Sequence, residues 1–130
     1  MSEFSQEHVL LMKEAIKLFN EKKYWECHEE LEHLWLEDRG DPIRNIYWAI
    51  IQVAASMIHV RDENLVGAYG MMRKAQEKFT RCDTFFMINE LVEKKLSWKS
   101  LKNMAFKITP NSKLNDFSDL YRFKFNHFKD

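Results

Sequence analysis

The run Tyr24-Trp25-Glu26-Cys27-His28-Glu29-Glu30-Leu31-Glu32-His33-Leu34-Trp35 decides how the rest of the chain is read. At about 100° per residue, Tyr24, Cys27, Leu31, Leu34 and Trp35 fall on one side of a helix, which is the spacing of a buried apolar stripe. Glu26, Glu30 and His33 point the opposite way, and Glu29 lies nearer the boundary. His28 sits inside the stripe and Glu32 lies one turn above it at the edge. A histidine, a carboxylate and the Trp35 indole N–H thus line up over two turns, on the face that other helices must pack against.

Working outward, periodic apolar residues recur in every long segment. Val9, Met12, Ile16 and Phe19 mark a first helix over about residues 5–21. Gly40 is placed to cap the second helix, which ends near Asp38, and Asp41-Pro42 supplies an N-cap and a first-turn proline for a third helix running to about Arg61. That third helix is apolar nearly all round from Ile46 to Val60, as a central helix is. Its exception is a polar seam of Asn45, Gln52, Ser56 and His59, whose buried groups need partners; His28, Glu32 and the Trp35 N–H are the expected ones. A fourth helix spans about Leu65 to Arg81, where Gly67 and Gly70 suggest close contact with the third helix or a ligand against the backbone. Met87 to about Phe106 reads as a fifth helix. From Leu120 to Phe128 the aromatics alternate with polar residues, which reads as an extended or loosely helical arm rather than a lone strand.

The expected fold is therefore all-α: a compact bundle of four to five antiparallel helices over residues 1–110, with residues 111–130 as an aromatic, basic arm docked on the same domain. With 130 residues, 45% of them hydrophobic and 14% aromatic, one well-packed domain is expected, and three glycines and two prolines argue against a turn-rich β protein. Net charge is zero, so the whole chain does not favour a polyanion partner. Charge is uneven, however: residues 1–41 carry 11 acidic and 5 basic side chains, and residues 94–130 carry 9 basic and 3 acidic. Basic and aromatic residues interleave in the arm, but a self-docked arm is favoured over nucleic-acid binding. Cys27 and Cys82 form no CxxC pair and read as core thiols. The N-terminus lacks the pattern of a signal peptide, and the most apolar run, Ile46 to Ile58, is too short to cross a bilayer. These features predict a cytoplasmic protein without a membrane partner; self-association is left open.

His28-x-x-x-Glu32-x-x-Trp35 is similar to the signature of the domain of unknown function family 309, small helical proteins of bacteria and archaea. Phe19-Asn20 and Tyr24-Trp25 lead in as they do there, and Ile51-Gln52-Val53-Ala54-Ala55 and Asn64-x-x-Gly67-Ala68 look like the motifs that follow. The resemblance runs over roughly residues 10–82. It departs at Trp48-Ala49, where that pattern has Gln-Gly. It implies an all-helical fold and a metal site, and leaves the activity unassigned.

Two chemistries fit the constellation. In the first, His28, Glu32 and His59 ligate one divalent ion, zinc or similar, with Trp35, Gln52 and Trp25 lining a pocket for a small ligand between the second and third helices. An ion with an open position could activate water, which makes a metal-dependent hydrolase one alternative. In the second, the same side chains form a hydrogen-bond network that fixes helix register without any ligand. The five-residue spacing from His28 to His33 separates them by about 140°, so the pair is no zincin motif. An alternative of another class is a non-catalytic interaction module that uses the arm.

Overall fold

The computed structural model describes residues 3–37, 40–85 and 87–126, and all its regular structure there is helical. Seven α-helices follow in order: α1 (Gln6–Asn20), α2 (Tyr24–Glu37), α3 (Arg44–Arg61), α4 (Leu65–Thr84), α5 (Glu90–Leu96), α6 (Trp98–Phe106) and α7 (Ser118–Arg122). A 3-10 turn, Leu114–Phe117, precedes α7. The all-α expectation holds. The helix count rises from four or five because the segment read as one fifth helix is two, and because the arm contributes α7.

Ser97 explains the split. It sits in the left-handed region, at φ 47° and ψ 44°, and ends α5. The Glu93 carboxylate then accepts the Lys99 N–H at 3.1 Å, capping the new helix α6. Nothing in the apolar spacing betrays one left-handed serine, because the stripe continues through Leu96 and Leu101. The start of α3 also differs from expectation. Asp41-Pro42-Ile43 forms a turn in which the Asp41 carboxylate accepts the Ile43 N–H at 2.9 Å and the Asp41 carbonyl accepts the Arg44 N–H at 3.0 Å. The expected end of the second helix near Asp38 falls outside the described residues.

α3 is the central helix, as its all-round apolarity requires. Ile46, Tyr47, Ala49, Ile50, Val53 and Ala54 are fully buried. α2, which packs on both α1 and α3, buries Tyr24, Cys27, Leu31 and Leu34, at steps of three and four residues. The end of α2 lies beside the start of α3, where the Trp35 and Trp48 rings meet at 5.2 Å. The end of α3 lies beside the start of α4, where buried Ser56 donates its hydroxyl to the Ala68 carbonyl at 2.7 Å. The connections are closed by left-handed residues, Lys22 at φ 63° and Glu63 at φ 57°. After each, the chain bonds back to the preceding helix: Lys23 N–H to the Leu18 carbonyl, and Asn64 N–H to the His59 carbonyl.

The later helices cover α4. Phe79 and Trp98 pack with ring centroids 4.7 Å apart, and the Gln76 amide donates to the Ala105 and Ile108 carbonyls at 2.9 and 3.0 Å. The arm leaves α7 in extended form. Its period-two aromatics do not make a strand: residues 118–122 are helical, and Phe123 and Phe125 pack on Phe19. Asn20 holds the end by donating to the Phe125 carbonyl at 2.9 Å and accepting the Phe125 N–H at 2.8 Å.

Candidate functional site

His28 lies one turn into α2, half-buried. Its Nε2 is 3.4 Å from the Glu32 carboxylate, the i to i+4 pairing that the helix spacing demands. The Trp25 ring stacks on the imidazole at 5.5 Å and 19°, and Trp25 itself is 53% exposed. Trp25, His28, Glu29, Glu32, His33 and Leu36 line a shallow cleft of about 300 Å³. Every lining residue belongs to α2, so the cleft lies on the outer surface of that helix and not between the second and third helices. His33 faces water and pairs with Glu37 at 3.1 Å.

Two members of the α3 polar seam, Ser56 and His59, turn toward α4, while Asn45 donates to the Pro42 carbonyl at 2.9 Å. Ser56 bonds the Ala68 carbonyl, as above. His59 Nδ1 lies 3.2 Å from the Asn64 amide, and the His59 ring is so close to α4 that a Cβ added at Gly67 would stand 2.6 Å from Nδ1. Gly67 is thus required for the close approach that its position suggested, and Gly70 is not, since a Cβ there would meet nothing within 4 Å. His28 and Glu32 come together, while His59 is held by α4. Among the described residues no group of three or more His, Cys, Asp or Glu side chains is arranged to hold a metal ion.

Among the described residues, His28 Nδ1, Trp35 Nε1 and Gln52 Oε1 on α2 and α3 are buried without a hydrogen-bond partner, as is Trp98 Nε1 elsewhere in the core. The expected bond from the Trp35 N–H to Glu32 is therefore not made. Trp35 is engaged through its face instead. The Arg44 guanidinium stacks on it at 3.6 Å, and its neighbour Trp48 carries the Lys78 ammonium at 4.0 Å. These cations escaped the sequence reading, because the pattern around residue 48 shows an aromatic on a core helix and gives no sign that cations cover it. Burial, with Glu30 adding to it, pushes the Cys27 thiol up to about 12, and burial does the same for Cys82, beside Asp83. Neither is a nucleophile at neutral pH.

The family model described as Domain of unknown function (DUF309) matches residues 12–71. Over those residues the chain is similar to that family. The match takes in α2, α3 and the start of α4, and so contains both the cleft and the His59–Gly67 contact; it stops about ten residues short of the resemblance read from the motifs. The uncharacterized protein YpuF of Bacillus subtilis (strain 168) is 37% identical over 51 residues, which cover 39% of this chain and 29% of that relative. The chain thus spans less than a third of the relative it matches. No solved structure matches the chain. Among the described residues, no helix is long and apolar enough to cross a membrane.

Proposed function

We propose that this domain is a non-catalytic binding module whose α2 cleft takes the cationic head of a small organic ligand, an amine or guanidine. The carrying observation is the stack of Trp25 on His28 with the Glu32 carboxylate 3.4 Å from the imidazole. A half-exposed indole face beside carboxylates is the arrangement that attracts an organic cation, and Glu29 and Glu32 supply the negative charge. Leu36 gives the ligand's apolar part a wall. No Lys or Arg lines the cleft to steady developing negative charge, which favours binding over hydrolysis.

A metal ion is the second reading, favoured by the same His28–Glu32 pair one turn apart. It would use Nε2 and a carboxylate oxygen as two of its ligands. With His59 directed at Gly67 and Asn64, a third protein ligand is not supplied from α3, and the donor set fits a resident zinc poorly. The arm is the weakest candidate for a partner-binding element, since Phe123 and Phe125 are spent on Phe19.

The test is thermal melting with propylammonium chloride against sodium chloride of equal ionic strength. Ligand at ten times its Kd stabilises the fold by about 1.4 kcal/mol. A saturable rise that disappears in Glu32→Gln and Trp25→Ala is expected. Identical melting in both salts contradicts the amine reading. A rise with zinc that survives Trp25→Ala and is lost in His28→Ala selects the metal instead.

A further inference from the structure

At the other end of the α2–α4 layer from His28, three cations gather on the Trp35–Trp48 pair. Arg44, the first residue of α3, stacks on Trp35 at 3.6 Å. Lys78 and Arg81, one turn apart on α4, lie over Trp48 at 4.0 and 5.7 Å. Among the described residues none of the three meets a carboxylate at ion-pair distance. Nearby Glu77 pairs with Arg73 at 3.5 Å. Lys78 is only 6% exposed as a residue, with its stem packed down and its ammonium set against the Trp48 face. Burial of the side chain, reinforced by Arg81 and opposed by Glu77, lowers its pKa. Three positive charges gathered on one aromatic pair, with no carboxylate at ion-pair distance among the described residues, point to an anion that arrives from outside.

The cleft beside these residues gives that anion a place. Arg44 and Arg81 both line a cleft of about 360 Å³ together with Pro42, Phe85 and Met87, and Phe85 is 65% exposed. Asp41 also lines it, but its carboxylate is already engaged by the Ile43 N–H at 2.9 Å and by His8 Nε2 at 3.4 Å. The first N–H groups of α3 are closed onto the Asp41, Pro42 and Ile43 carbonyls, so recognition falls to side chains. Two guanidiniums can each grip an oxyanion with paired donors, and three positive charges match a dianion better than a carboxylate. The cleft has the volume of a small ligand, and the chain's zero net charge disfavours a polymer.

We propose that Arg44 and Arg81, backed by Lys78, bind the phosphate group of a small phosphorylated molecule whose apolar part rests on Phe85 and Met87. This site is distinct from the α2 cleft and does not depend on the reading given there.

Titration of the full chain with pyrophosphate, followed by indole N–H resonances in NMR at fixed ionic strength, tests it. The expected result is a saturable shift of the Trp35 and Trp48 signals, with Kd raised about tenfold or more in Arg81→Gln and in Lys78→Met, the loss of one charge-assisted contact. Arg73→Gln, an exposed change on the same helix, should bind as wild type does. Lys78→Met should melt no lower than wild type, which separates a ligand-binding charge from one that merely packs on Trp48. Shifts reproduced by sodium chloride alone, variants that bind normally, or a short single-stranded oligonucleotide or anionic vesicle that binds while pyrophosphate does not, would each overturn the proposal.

Discussion

Gly67→Ala and Gly70→Ala place the same methyl group three positions apart on α4 and should act in opposite directions. At Gly70 the new Cβ meets nothing within 4 Å. Alanine there gains helix propensity and a less flexible unfolded chain, about 0.5–1 kcal/mol of stabilisation. At Gly67 the Cβ would lie 2.6 Å from His59 Nδ1 and 2.8 Å from both His59 Cγ and Asn64 Nδ2. The ring must leave, and the His59–Asn64 bond at 3.2 Å goes with it. Asn64 also caps α4 by accepting the Gly67 N–H at 3.0 Å, so its displacement threatens a cap that contributes about 1 kcal/mol. Overpacking adds about 1–3 kcal/mol, against a propensity gain of about 1 kcal/mol. The net for Gly67→Ala is a destabilisation of roughly 1–2 kcal/mol, and the two variants should melt roughly 10 °C apart. Differential scanning calorimetry of both variants and of His59→Ala/Gly67→Ala measures this, and the double variant should recover part of the loss. Gly67→Ala melting at or above wild type would refute the close helix approach on which the account of His59 rests.

Other outcomes follow from single contacts. Ser56→Ala removes a buried hydroxyl bond and should cost about 1 kcal/mol in chemical denaturation, with no change in denaturant sensitivity. Phe125→Ala should cost about 3 kcal/mol; because the arm is held by ring packing and Asn20, that loss should be nearly the same at low and high salt. For the thiols the sign is fixed by their raised pKa values. Above the ordinary 9.0 the unfolded chain releases protons that the folded chain keeps up to about 12, so their contribution is complete below pH 9.0 and is lost as pH climbs toward about 12. Accordingly, Cys27 and Cys82 should resist a thiol reagent at pH 8 in the native protein and react fully in denaturant.

Most of the fold could be read because burial and helical spacing coincide. Cys27, Leu31 and Leu34 recur at the helical step and are all buried, and α3 is apolar all round and central. Breaks that depend on one backbone torsion could not be read in this way, as Ser97 shows. The candidate site was legible only within one helix. His28 and Glu32 are neighbours by spacing alone, and the structure pairs them. Pairing across helices was misjudged because a wheel gives the angle of a seam and not which neighbour it meets. Ser56 and His59 are served by α4, the partner that Gly67 admits. The cation cluster on Trp35 and Trp48 draws on three helices, so no local window contains it.

The most direct measurement of the binding claim is the Trp25 indole N–H resonance during titration with propylammonium at constant ionic strength. Trp25 faces the cleft, whereas Trp98 is buried at 2% exposure on the far side of α4. The account requires a saturable shift of Trp25 that is absent in Glu32→Gln, with Trp98 unmoved. A Trp25 signal that stays fixed, or that moves in step with Trp98, contradicts it.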